Sequence, residues 1–371
     1  MTSPRTRWFG LLFISLAVSL IIVDSTIVNV SIPSIIEDLG ISSTQVQWVQ
    51  ESYTLVFAAL LLVFGALSDR FGRRRLLIIG MVIFVIASVF AGIAQDGNLL
   101  IAARVLQGFG GAMILPTTLS LVNANFRGKE RGIAFAIWGS TIGGMVAVGP
   151  LLGGWLTTDY SWRWAFGINI PLGIIIIIGA LLTVVESKES GNIRRIDWVG
   201  ALLSVIAMAS LVFGLIEGRT YGWWLVNKPF TVGDWTWASG ISVIPVCFLV
   251  FALATTAFIL WGRSRIKLGK PTLIAFNLFG IASFRNGNVA AMVISLGEFG
   301  IILSLPLWLQ FVVGYDALQT GFVILALAVG AFTASGLAGA LGHKVSPVTM
   351  VQLGIVLEVV GVAGVAFNIS P

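Results

Sequence analysis

The chain has 371 residues, 57% of them hydrophobic and only 10% charged, and its 22 basic and 16 acidic residues give a net charge of +6. Soluble domains carry about 25% charged residues, so water is excluded as the main solvent of this surface. A helix crossing about 30 Å of hydrocarbon needs roughly 20 apolar residues, and runs of that length recur along the whole chain.

Membrane spans are predicted over residues 8–32, 48–68, 76–95, 99–123, 132–156, 165–185, 197–217, 238–262, 288–312, 318–342 and 348–369. Arg5 and Arg7 precede the first of these, but that stretch is too long for a secretory signal and lacks a small-residue cleavage site. Transmembrane strands would alternate in polarity over about ten residues, so a β-barrel is excluded. Of the 22 basic residues, all but Arg104, Arg163, Arg219 and Lys228 fall at the N-terminus or in the even-numbered gaps. Basic residues mark the cytoplasmic side, which places the N-terminus inside and makes the positive charge a topology signal. It does not point to nucleic acid, since no basic patch interleaves with aromatics on a polar domain.

In chain order, Asp24 is the first ionisable residue deep in a span. A charge at the bilayer centre costs about 2.5–3.5 kcal/mol even on lenient scales, so such a residue is a functional candidate by default. The next is Arg104 in span 4. At about 1.5 Å per residue, the two fall at similar depth, and they are expected to pair or share a cavity. Asp24 would then bind and release protons, unless it is a structural carboxylate bonded to Thr26 or Asn29. Arg104 alternatively snorkels to the outer interface.

Between spans 2 and 3 runs Gly65-Ala-Leu-Ser-Asp69-Arg70-Phe-Gly72-Arg73-Arg-Arg75. This charged turn is bounded by glycines, which permit close packing and unusual backbone angles. The next cytoplasmic loop carries Lys129, Glu130 and Arg131, which can offer opposite charges to Asp69, Arg70 and Arg73. A network that closes in one state and opens in another supplies a bistable switching element.

The connector 218–237 holds Tyr221, Trp223, Trp224, Trp235 and Trp237, an aromatic belt of the kind that prefers the membrane interface. Glu51 and Glu217 stand near outer span ends and are expected at that interface. Glu298, flanked by Gly297 and Gly300 in span 9, is a second candidate proton or cation site; Phe299, Trp308 and Phe311 offer ring faces to a cation. Residues 65–80 align without a gap to 339–354, with His343 in place of Asp69 and Pro347 in place of Arg73. Such internal repeats mark secondary transporters, whose halves rock about a central site.

A single cysteine, Cys247, and a single histidine, His343, leave no disulfide framework and no histidine metal cluster. No phosphate loop occurs, so nothing here hydrolyses a nucleotide, no cofactor is expected, and any work draws on an ion gradient or on a partner. No nucleophile–base constellation suggests an enzyme.

Four motifs together resemble the major facilitator superfamily, in its 14-span drug:proton antiporter branch. They are the turn 65–75, Val23-Asp24-Ser-Thr-Ile-Val-Asn-Val30 ending at Pro33, Arg104-Val-Leu-Gln-Gly108 with Gly110, Gly111 and Ala112, and Gly149-Pro150-Leu-Leu-Gly153-Gly154. Trp162-Arg-Trp-Ala-Phe166 with Asn169 and Pro171 adds to the resemblance. Met145 departs from it, standing where the span-5 motif commonly has glycine.

The resemblance implies an all-α polytopic membrane protein with a two-bundle fold. Residues 1–185 would form an N-terminal six-helix bundle, 186–270 a linker plus two extra transmembrane helices, and 271–371 a partial C-terminal bundle of three helices. It implies three further spans beyond these, and Glu358 in the last one is read as a charge awaiting them. It also implies a role for Arg104 in proton coupling, a latch in the 65–75 turn that holds the outward-open form, and antiport at the span-5 motif.

The expected function is proton-coupled export of hydrophobic, cationic drugs or toxic compounds across the cytoplasmic membrane. The partners would be a small lipophilic substrate, protons and the lipid bilayer, with no nucleic acid and no obligate protein partner. The alternatives are export of an endogenous metabolite or antibiotic, and a truncated membrane remnant that transports nothing.

Overall fold

A computed structural model describes residues 4–188, 197–232, 235–237, 239–341 and 345–368. The chain is helical: α1 (Pro4–Leu39), α2 (Ser43–Phe71), α3 (Arg73–Gly92), α4 (Gly97–Asn125), α5 (Gly128–Asp159), the short α6 (Trp164–Gly167), α7 (Asn169–Thr183) and α8 (Trp198–Tyr221) come first. A two-residue antiparallel ladder follows, β1 (Thr231–Val232) with β2 (Trp235–Thr236). Then come α9 (Val243–Lys267), α10 (Ala282–Phe311), α11 (Ala317–Leu341) and α12 (Pro347–Asn368). Among the described residues, ten helices are long and apolar enough to cross a membrane, with α6 and α7 counted as one. α10 carries the remaining predicted span.

Helix ends are set by local chemistry. At the start of α2, Ser42 and Gln45 form a reciprocal capping box, which satisfies backbone donors that no helical carbonyl can reach. Asp96 accepts from the backbone N–H of Asn98 and Leu99 to open α4, and Asp316 with Gln319 does the same for α11. Pro33, Pro116, Pro150 and Pro306 lie inside helices, a placement that membrane helices tolerate when neighbours re-satisfy the freed carbonyls.

The helices gather into two compact units. One contains α1, α5, α6, α10, α11 and α12; the other contains α2, α3, α8, α9 and most of α4 and α7. In the first unit, small residues bring backbones together. A Cβ at Gly153 would sit 2.8 Å from the Ile27 carbonyl oxygen, and one at Gly149 would overlap the Thr26 side chain. Across α5 and α11, Gly143 faces Ala331 and Gly321 rests on the backbone of Leu151. In the second unit, Gly80 of α3 and Gly110 of α4 meet face to face, each lying within 2.8 Å of the other's carbonyl oxygen were a Cβ present. Lipid tails are as apolar as leucine, so membrane helices associate by such close packing rather than by hydrophobic exclusion.

The α8–α9 hairpin of the second unit is pinned by Asp197 where α8 begins and α9 ends. This nearly buried carboxylate caps α8 at Gly200, accepts from Trp261 Nε1 at 2.8 Å and pairs with Arg265 at 3.7 Å. The outward faces are apolar, as lipid contact requires: Ile174, Ile175, Ile178, Leu181 and Leu182 of α7 are all exposed.

Candidate functional site

In the first unit the glycine seam of α5 lies against the turn of α1 that carries Asp24. Asp24 is 0% exposed, and Asn169 Nδ2 donates to its Oδ1 at 2.6 Å. Asn169, itself fully buried, opens α7. The expected local partner Thr26 is engaged elsewhere: its hydroxyl turns back to the carbonyls of Ile22 and Val23. The distant amide of Asn169 is thus a partner that sequence proximity does not reveal. Pro150 lies between the two seam glycines and Gly154 is buried beside them. One turn further along, Ser31 and Thr157 hydrogen-bond at 2.8 Å, tying α1 to α5 again. Beyond them Asp38 accepts from Trp162 Nε1 and pairs with Arg163.

Arg104 belongs to the second unit and is 2% exposed, so it does not snorkel outward. Its Nε donates to the Val49 carbonyl at 3.1 Å and its Nη1 to Gln107 Oε1 at 2.9 Å, while the guanidinium stacks 4.4 Å above the Tyr53 ring. Gln107 passes the network on to Ser88 at 2.9 Å. A buried cation needs such partners, since an isolated one costs several kcal/mol.

The charged turn is a hinge one residue long. Gly72 has φ +110°, a region that favours glycine, and it joins α2 directly to α3. Across it, Asp69 Oδ1 accepts from Arg73 Nε at 2.8 Å and Nη2 at 2.7 Å. Arg70 lies exposed over Phe71, and a Cβ at Gly65 would meet Pro116 at ordinary van der Waals distance. A residue not singled out from sequence completes the turn. Both oxygens of Glu186 accept backbone N–H bonds at 3.1 Å, from Arg74 and Arg75, and so cap α3. They also fill the space that a Cβ at Gly72 would need. The signal was available as an acid closing span 6, on the same predicted side as the triple arginine. The next loop makes its own contacts in the first unit, where Glu130 pairs with Arg7 at 3.3 Å and Arg131 donates to Asn123 at 3.3 Å.

Glu298 is exposed on α10, and the neighbouring Gly297 backbone is covered by the Glu358 carboxylate. Glu358 is half-buried and packs against α10 there. Glu217, near the end of α8, is 0% exposed. His343 and the side chains of Phe299 and Phe311 lie outside the described residues.

Membrane-length helices joined by glycine seams, with a buried carboxylate and a buried arginine on them, define a polytopic membrane carrier. The chain belongs to the Major Facilitator Superfamily, whose family model matches residues 14–287. It is 34% identical over 364 residues to a puromycin resistance protein of Streptomyces alboniger, covering 97% of this chain and 67% of that one. It is 31% identical over 355 residues to multidrug resistance protein 3 of Bacillus subtilis, covering 95% and 65%. To the methylenomycin A resistance protein of the same organism it is 31% identical over 318 residues, covering 85% and 64%. The chain thus spans about two thirds of the length of these relatives. The POT family transporter PepTSo shares the fold, at a TM-score of 0.52 and 14% identity over 95% of this chain and 71% of that structure.

Proposed function

We propose that the chain is the greater part of a proton-coupled antiporter that exports hydrophobic, cationic compounds across the cytoplasmic membrane, with its N-terminus inside. The observation that carries this reading is the fully buried Asp24, bonded to Asn169 and seated on the Gly149–Gly153 seam. An ionised carboxylate binds the Asn169 amide strongly, because charge-assisted hydrogen bonds are about twice as strong as neutral ones. Protonation weakens that bond and loosens the start of α7 from α1, which couples proton occupancy to helix position. Each proton moving inward supplies about 1.4 kcal/mol per pH unit and about 2.3 kcal/mol per 100 mV. Arg104 serves as the buried cation of the coupling network, the 65–75 turn as its gate, and Glu298 as a further acidic site on α10.

The names of the relatives, which include multidrug, puromycin and methylenomycin resistance, support drug export. The antibiotic names among them also favour a second reading, export of a natural antibiotic. Dye efflux in everted vesicles, with a proton gradient that can be collapsed, tests the proposal. Wild type should lose efflux on collapse, and Asp24→Asn should insert normally yet fail to drive efflux. Proton-dependent efflux by Asp24→Asn refutes the coupling role. A substrate panel that includes puromycin separates the two readings.

A further inference from the structure

In the second unit, α8 presents Phe213, Glu217 and Tyr221 at four-residue intervals, and so on one face. Along the helix axis Phe213 and Tyr221 are about 12 Å apart, at 1.5 Å per residue. Their ring centroids are nonetheless only 6.4 Å apart and the planes within 17° of parallel. The rings therefore lean toward one another over the position of Glu217 between them. Phe230, on the connector after α8, closes edge-on against both, at 6.0 Å from Phe213 and 5.3 Å from Tyr221. Trp48 of α2 flanks Phe213 at 6.1 Å.

Under this aromatic cover Glu217 is 0% exposed, and neither carboxylate oxygen receives a hydrogen bond from any described residue. The nearby Arg219 is exposed; two residues along a helix, it projects from another face. A carboxyl group buried without partners is costly, and natural sites offset that cost with a counter-charge. The surroundings specify the kind of counter-charge. Sodium or calcium needs a shell of oxygen ligands, whereas a carboxylate whose helix neighbours Phe213 and Tyr221 belong to a four-ring aromatic cluster suits an organic ammonium, which binds ring faces.

We propose that Glu217, with Phe213, Tyr221, Phe230 and Trp48, forms a binding subsite for a small organic ammonium cation, built wholly from residues of the second unit and independent of Asp24. The Phe230 ring, carried on the connector, is the one that swings aside to admit the ligand. The charge of Glu217 supplies affinity, and the rings supply selectivity against mineral cations.

Equilibrium binding of radiolabelled tetramethylammonium to the purified full chain in lipid nanodiscs tests the assignment. Wild type should bind it saturably, and a large excess of sodium at constant ionic strength should not displace it. Glu217→Gln should weaken binding at least tenfold, and Phe213→Leu and Phe230→Leu several-fold each. Asp24→Asn should bind as wild type does, so loss of proton coupling and loss of this subsite are read separately. The unfolding midpoint of each variant is measured alongside; should Glu217→Gln not fold, the two leucine variants decide. Absence of saturable binding to wild type, unchanged affinity in the folded variants, displacement by sodium, or loss of binding in Asp24→Asn each overturns the proposal.

Discussion

Asn169 and Asp24 are 145 positions apart in sequence and 2.6 Å apart in space. If the amide tunes the carboxylate, Asn169→Leu should leave insertion intact but shift the pH profile of efflux, while Asn169→Gln should recover part of it. An unchanged profile in Asn169→Leu would assign the bond a purely structural part. At the hinge, Gly72→Ala meets two penalties: a positive-φ backbone that side chains rarely adopt, worth about 1–3 kcal/mol, and a collision with the Glu186 carboxylate. Its unfolding midpoint should fall, and Glu186→Ala combined with it should restore less than half of the loss, because the backbone penalty remains.

Which residues were legible in the sequence follows from what makes each of them costly. Asp24 and Arg104 stand out because a charge inside an apolar run is expensive wherever the fold puts it. Glu186, Glu217 and Asn169 do not, since a polar residue at a span end suits water, an interface or a core equally well. Only tertiary contacts tell these apart. The enclosure of Glu217 is one such contact-dependent outcome.

At the scale of elements, close backbone approach replaces hydrophobic exclusion. Gly153→Leu would drive a side chain into the Ile27 backbone, so it should separate α1 from α5 and abolish folded protein on size-exclusion chromatography. Gly139→Leu, where nothing lies within 4 Å of the added atom, should be tolerated. The α8–α9 hairpin hangs on Asp197, and removing one member of a buried pair typically costs about 3–5 kcal/mol. Asp197→Ala should therefore lower thermal stability more than any exposed acid such as Glu130, as measured by scanning fluorimetry. Spans were predictable because the apolar run sets length, and each predicted span has its helix. The break at Ile168 between α6 and α7 was not predictable, nor was the two-residue ladder in the aromatic connector. Both arise from contacts too short to leave a pattern.

For the molecule as a whole, burial is uneven. The most apolar stretch of α1 is 72% buried, whereas that of α12 has no buried residue. Hydrogen exchange in detergent should therefore be slowest along α1 and fastest along α12, and equal protection of the two would contradict the packing described. The superfamily frame was legible from four short motifs because each places a glycine, proline or charge where apolar composition alone would not.

The seam between α1 and α5 has a genetic corollary. With no side chain to cushion the contact at Gly149, bulk added there can be accommodated only by bulk removed from the facing turn. Second-site revertants of a Gly149→Ala strain should accordingly concentrate at Thr26, whose side chain fills that space, and hardly at all on helices that never touch that turn.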